Sequence, residues 1–417
     1  MDKTTLVIKG QFGKGFLGIV LSFAVFTDIR MFFVYLTQSR TIGYYFYGVF
    51  FVFIFISSLY FIFKYKFPSK FWVIIGFLLF GFSLDLIVGM KYGNALQQAS
   101  TILCIPLAIA LYQEGYFIPK RLSRIIFLIS ILHLTFIIYS FFDHTLLTKY
   151  TLYGNDLYLN KRAVGIFPAP GVLSFYSIMV FSYGFIMFII KRDKLDFFVT
   201  FLGILLGILS GNRSFIVALS LIIIIFLIWS PILKWGKRGF IYYISILSMV
   251  LLLFNSLASN LLGDKLTTLS TRFDANLIER DYETRLDGEV GLLPGLMSLT
   301  ENPLFGNTVM DKKSGSIKVS YENKRFSVNN GFISVIAFRG IPAAILFYFV
   351  YFLSIIRYLK IINKNVNTDN HAMKAAFFFM VLGGSIVCMA DAFLTSSITL
   401  ILLLIPFSNT RKNSIIV

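Results

Sequence analysis

The chain has 417 residues, of which 57% are hydrophobic, 18% aromatic and only 14% charged, with a mean hydropathy of +0.79 and a net charge of +18. That balance excludes a soluble fold and leaves no room for a separate soluble enzyme domain. In a soluble protein the positive charge would suggest a nucleic-acid partner; here it reports topology, and no nucleic acid is expected.

Apolar runs bounded by charge or turn residues predict about twelve helices of roughly 20 residues each. They fall near 15–36, 42–63, 71–90, 97–112, 125–142, 172–190, 196–211, 214–233, 239–258, 332–357, 375–391 and 393–408. Lysine and arginine recur at every second connection: Lys64/Lys66/Lys70, Lys120/Arg121/Arg124, Lys191/Arg192/Lys194 and Lys234/Lys237/Arg238. The positive-inside rule then puts both termini in the cytoplasm. The first apolar run lacks a small-residue cleavage site, so no cleaved signal peptide is expected. Cys104 and Cys388 fall inside apolar spans and read as small buried hydrophobes. We therefore read an all-α polytopic membrane protein, a single membrane domain over 1–417. One large extracytoplasmic loop, 258–328, carries nine Lys/Arg and ten Asp/Glu.

The two faces differ in their cations. The inner one has 15 Lys and 6 Arg, the outer one 8 Lys and 9 Arg. Lysine suffices for retention, whereas arginine makes bidentate contacts to phosphate and carboxylate.

Four outer constellations follow in chain order. Lys161-Arg162 leads through Gly165, Pro168, Pro170 and Gly171 into the sixth helix, an irregular backbone of the kind tolerated at membrane depth only against protein or a cavity. Its plainer reading is an interfacial loop with a basic anchor. Ser210-Gly211-Asn212-Arg213-Ser214 is a short charged turn that holds Arg213 at the bilayer boundary, as a site residue or snorkelling to headgroups. In the large loop, Arg280/Glu283 and Arg285/Glu289 have helical pairing spacings. Leu286, Val290, Leu293, Leu296 and Leu299 then form an apolar stripe broken at Pro294. Asn302-Pro303-Leu304-Phe305-Gly306 is a turn, and Asp311 to Lys324 reads as a mobile surface loop. Last, Asn329-Asn330-Gly331 returns the chain to the membrane, followed by Arg339 in apolar surroundings beside a kink expected at Gly340/Pro342.

Together these segments resemble the O-antigen polymerase and O-antigen ligase family of polytopic glycosyltransferases. The similar stretches are RAVGIFPAPGVLSFYS (162–177), LSGNRSFIVALSLIII (209–224), RLDGEVGLLPGLMSLTENPLFGN (285–307) and NNGFISVIAFRGIPAAILF (329–347). The resemblance covers 160–350; the N-terminal third matches only in being apolar. It implies a metal-independent transferase of the bacterial cytoplasmic (inner) membrane, with no cofactor, using glycans carried on undecaprenyl pyrophosphate. Its implied partners are those lipid-linked oligosaccharides, membrane lipids and other assembly proteins such as a chain-length regulator. By motif, Arg285 and Arg213 would be catalytic with Glu283, and Arg162, Arg280, Arg339, Asn329 and Asn330 would bind substrate. No His/Asp/Cys cluster with metal-ligand spacing appears outside, so arginine would neutralise the pyrophosphate leaving group.

The ligases of this family tend to have His-Asn where this chain has Asn329-Asn330. Asparagine cannot accept a proton as a general base, which favours a polymerase over a ligase. The base stays open among Glu283, Asp281, Asp287, His144 and Asp156, each of which also reads as a solvated surface group. His133 reads as a satisfied core residue and His371 as cytoplasmic. A lipid-linked oligosaccharide flippase is the rival of a different class, but no internal repeat of the transporter type is visible; a scaffold of a polysaccharide assembly complex is the third reading.

Overall fold

A computed structural model describes residues 3–65, 67, 69–87, 92–143, 145, 162–229, 248, 292–310, 317–322, 324–328, 330–363, 369–389 and 396–407. The fold is mostly helical. In chain order the elements are α1 (Lys3–Phe26), α2 (Ile29–Thr37), α3 (Arg40–Lys64), α4 (Ser69–Ile87), α5 (Tyr92–Gln113), α6 (Pro119–Phe142), α7 (Pro170–Lys191), α8 (Lys194–Ser210) and α9 (Arg213–Trp229). There follow α10 (Leu292–Met297), strands β1 (Thr308–Met310), β2 (Ile317–Tyr321) and β3 (Lys324–Phe326), then α11 (Gly331–Ile362), α12 (Asp369–Cys388) and α13 (Ser397–Leu404). Among the described residues five helices are long and apolar enough to cross a membrane, six if a bent pair counts as one. The chain is thus a helical protein suited to a membrane. The expected ninth span, 239–258, and the greater part of the expected external loop lie outside the described residues.

Local sequence explains where the helices start. Asp28, Ser39 and Asp193 cap α2, α3 and α8, each side chain accepting a backbone N–H of the first turn. Proline stands at the first position of α6 and α7, where a missing N–H costs nothing. The Asp28 cap also explains a difference from expectation. The run 15–36 is not one straight span: Gly15–Phe26 and Ile29–Thr37 meet at 92°. Thr27-Asp28 supplies the break, and Arg30 pairs with Asp28 at 3.3 Å.

The centre of the bundle is α7. Of its most apolar 18-residue window, 89% is buried, against 22% for α3. A helix apolar all round belongs in such a position. Packed against it lie α8, α12 and α9. The α7–α8 contact depends on small residues. A Cβ on Gly203 would stand 2.5 Å from the Phe181 nitrogen, and one on Gly184 2.7 Å from the Thr200 nitrogen, so the two backbones touch. One end of the bundle is fixed by polar pairs. Ser123 Oγ donates to the Asp196 carboxylate at 2.5 Å, Lys191 pairs with Asp369, and the Tyr65 hydroxyl donates to Glu114. Burial, and then the Glu114 carboxylate, push the Tyr65 phenol above its ordinary pKa. These contacts gather the basic residues around 120–124 and 191–194 at one end. Arg162, Arg213 and Asn330 lie at the other.

At Gly340 (φ 76°, ψ 172°) the helix α11 breaks, as the Gly340/Pro342 pair leads one to expect. A break frees backbone groups that must find partners. They find them in the 302–307 turn: Ile341 N–H donates to the Pro303 carbonyl at 2.8 Å, and Asn307 N–H donates to the Ala337 carbonyl at 3.1 Å. The approach needs glycine on both sides. A Cβ on Gly340 would lie 2.2 Å from the Leu304 oxygen, and one on Gly306 (φ 72°) 2.5 Å from the Ala337 oxygen.

One further expectation needs correction. The mostly helical chain also carries one small antiparallel sheet, in the order β1-β2-β3: within Asp311 to Lys324, expected to be a mobile loop, residues 317–321 and Lys324 are in strands, and 311–316 lie outside the described residues. Alternation along Ile317-Lys318-Val319-Ser320-Tyr321 is the physical reason, with Val319 fully buried against Val328 and Ala337. Of the apolar stripe, Leu286 and Val290 lie outside the described residues and Leu299 is half-buried. Pro294, Gly295 and Ser298 are buried, while Leu293 and Leu296 are exposed.

Candidate functional site

Arg162 begins a loop that runs inward rather than across the surface. Ala163, Val164, Ile166 and Phe167 are all buried. The Ala163 N–H donates to the Leu209 carbonyl at 3.0 Å, and Arg162 Nε donates to the Ser210 carbonyl at 3.2 Å. Ser210 ends α8, three residues before Arg213. Gly211 (φ 60°) then turns the chain, and the Asn212 side chain caps α9 by accepting from the N–H and hydroxyl of Ser214 at 3.2 and 2.9 Å. The first two constellations of the sequence therefore meet: both are held against the end of α8, each with a half-buried arginine.

What holds the 162–167 loop is His133, in the middle of α6. Its Nδ1 accepts the Ile166 N–H at 3.2 Å, so its Nε2 carries the proton and donates to the Phe26 carbonyl at 3.2 Å. Phe167 stacks on the imidazole with centroids 4.5 Å apart. Gly165 (φ 58°) passes so close that a Cβ there would lie 2.8 Å from Nδ1. His133 is a core residue with both ring nitrogens satisfied, and it also ties the end of α1 to the loop that carries Arg162. Sequence alone had no signal for this, because its partners are 107 and 33 residues away.

Asn330 is engaged in the backbone. Its Oδ1 accepts from the N–H groups of Phe332 and Ile333 at 3.0 Å each, and its Nδ2 donates to the Met389 carbonyl at 2.9 Å. These bonds cap α11 and join its start to the end of α12. We expect Asn330→Ala to lower stability by about 1–2 kcal/mol. Asn330→Asp, which keeps the cap acceptor and loses the Nδ2 donor, should cost about half as much. Thermal unfolding of the two variants in detergent checks this; equal losses would assign the effect to the Met389 bond instead.

Arg339 lies nine residues further along α11, about 13 Å at the helical rise. It immediately precedes the break, with its backbone nitrogen against Gly306. The third and fourth constellations thus also meet, through 302–307 and 337–341. Arg30, half-buried with Asp28 and 5.9 Å from the Tyr44 ring, is a further arginine that the four constellations did not include. Of the remaining candidates, Arg280, Glu283, Arg285 and Asn329, with Asp281, Asp287, His144 and Asp156, lie outside the described residues.

Searched against known proteins, the chain matches no family model, and no curated protein is similar to it.

Proposed function

We propose that the chain is a polymerase-type glycosyltransferase of the bacterial inner membrane. It would transfer a growing glycan from undecaprenyl pyrophosphate onto a lipid-linked repeat unit at the outer face, with both termini cytoplasmic. The observation that most supports this reading is the meeting of Arg162 with the Ser210–Arg213 turn at the end of α8 opposite Asp196. Two arginines at a turn between apolar helices suit a pyrophosphate, because guanidinium groups neutralise its charge through paired hydrogen bonds.

In this reaction the acceptor hydroxyl attacks the anomeric carbon of the donor. The new glycosidic C–O bond forms as the bond to the pyrophosphate oxygen breaks, with inversion. Undecaprenyl pyrophosphate leaves with the bonding pair, stabilised by Arg162, Arg213 and Arg285. The acceptor proton passes to a carboxylate of the large loop, for which Glu283 is the first choice.

The test uses full-length protein in lipid nanodiscs, supplied with undecaprenyl-pyrophosphate-linked repeat units and read as a ladder of polymer lengths. We expect Arg213→Gln and Arg162→Gln to slow elongation about 100-fold, the scale on which loss of one preorganised donor to developing charge is felt. Their unfolding temperatures should stay close to the parent's. A parent protein that yields no ladder, or variants that elongate normally, would overturn the reading. Vectorial movement of single repeats without bond formation would identify a flippase, and transfer only to a different acceptor lipid a ligase.

A further inference from the structure

At the end of the bundle opposite Arg162, a groove of about 590 Å³ opens between α1 and α6. Its volume is in the range of small-molecule sites. Gly15, Ile19 and Phe23 of α1 form one wall; Ile125, Leu128, Ile129 and Leu132 of α6 form the other. Ile19 and Leu128 are 59% and 64% exposed, so the groove is open along its side to whatever surrounds the helices. Tyr116, Arg121 and Arg124 close one end.

That end is built rather than incidental. The Tyr116 hydroxyl donates to the Gly15 carbonyl at 3.0 Å and joins the 114–118 turn to α1. Arg121 Nη1 donates to the Tyr116 carbonyl at 3.2 Å, and its guanidinium lies 4.7 Å from the Tyr116 ring centroid. Arg124 stands one turn further along α6, at the i+3 position on the same side. Burial pushes the Tyr116 phenol up, with Arg121 opposing, so it stays an uncharged group at neutral pH. Among the described residues that line it, none is acidic. The groove therefore has two cations at one end and an apolar, laterally open remainder.

We propose that this groove binds one anionic glycerophospholipid, with the phosphate at Arg121 and Arg124 and an acyl chain lying along Ile125, Leu128, Ile129 and Leu132. Charge complementarity selects the headgroup, since two guanidinium groups without a carboxylate disfavour a zwitterion relative to a net anion. The lateral opening selects a membrane lipid over a soluble phosphate, because the apolar walls gain only from a ligand with a hydrocarbon chain. The site is at the end of the bundle away from the proposed transferase centre and does not depend on that assignment.

Native mass spectrometry of the full-length protein, titrated with phosphatidylglycerol or phosphatidylcholine, tests it. We expect tight binding of one phosphatidylglycerol, weaker binding of phosphatidylcholine, and no competition from inorganic phosphate or glycerol phosphate at equal concentration. Arg121→Gln/Arg124→Gln should weaken phosphatidylglycerol binding about 30-fold, about 1 kcal/mol for each basic residue at an anionic headgroup. Arg124→Gln alone leaves the Arg121–Tyr116 contact in place and should weaken binding about 5-fold. Leu128→Trp, which fills the groove without touching the charges, should weaken both lipids together. Equal affinity for the two lipids, binding unchanged in Arg124→Gln and Leu128→Trp, or displacement by inorganic phosphate alone would each overturn the proposal.

Discussion

Gly340→Ala should lower the stability of the protein by about 3–5 kcal/mol and release the 302–307 turn from α11. Three effects add. A non-glycine residue at φ 76° is strained by about 1–3 kcal/mol. Its Cβ would stand 2.2 Å from the Leu304 oxygen and 2.4 Å from the Leu304 carbonyl carbon, which are backbone atoms that no rotamer change can move away. As the turn retreats, the bonds from Ile341 to Pro303 and from Asn307 to Ala337 are lost, at about 1 kcal/mol each. Gly306→Ala attacks the same contact from the other side, so the two substitutions should be strongly non-additive. Gly115→Ala is the control. Its φ is 70° but nothing lies within 4 Å of its Cβ, so it carries the strain without the collision. Thermal unfolding in detergent, together with the labelling rate of a cysteine at the exposed Leu304, reads both effects. A Gly340→Ala protein no less stable than Gly115→Ala would show that the turn is not seated in the helix break.

Gly203→Leu is expected to do comparable harm, again about 3–5 kcal/mol, or to prevent accumulation of monodisperse protein. The first side-chain carbon would meet the Phe181 nitrogen at 2.5 Å and its Cα at 2.8 Å, so α7 and α8 must part. Their separation is costly for reasons beyond the pair. In a lipid environment helix association rests on close van der Waals contact, which a gap removes directly. And α7 is the helix on which α9 and α12 also pack. Gly48→Leu, on α3 with open space around its Cβ, should be close to neutral. Indistinguishable unfolding temperatures and gel-filtration profiles for the two leucine variants would sink this account. The proposed elongation activity should fall with stability in Gly203→Leu, because the carbonyls that hold Ala163 and Arg162 sit at the end of α8.

The helical character of the chain was its most legible part, because a long apolar run needs no partner to be recognised; of the twelve spans expected, five, or six with the bent pair, are long and apolar enough among the described residues. The kink in α11 was legible for a similar reason, with Gly340 and Pro342 adjacent in sequence. What fills it was not: the 302–307 turn lies some 35 residues earlier, and only three dimensions connect Pro303 with Ile341. The break at Asp28 was overlooked because hydropathy averages a short capped helix into its apolar neighbours. The sheet was missed because its strands are only three to five residues long, below the length at which alternation stands out in a polar segment. At the candidate site, Arg162, Arg213, Arg339 and Asn330 were visible as charged or polar residues at helix ends. The detail beneath them was not, because the roles of His133 and Asn330 are set by backbone groups that carry no residue-specific signal.

Asn307 has a mechanical consequence for the segment that carries the sheet. Its N–H holds the last turn of α11 before the break. Its carbonyl accepts from Ser320 N–H at 3.0 Å, and its Nδ2 donates to the Ser320 carbonyl at 2.7 Å. Glu301 adds a second strut, accepting the Glu322 N–H at 2.9 Å. The sheet is therefore seated across the break: Asn307 ties it to 331–339, and the Pro303 carbonyl of the same turn is held by Ile341 beyond Gly340. The turn thus acts as a splint: a change of angle at that glycine would load both bonds at once, with Arg339 beside the joint.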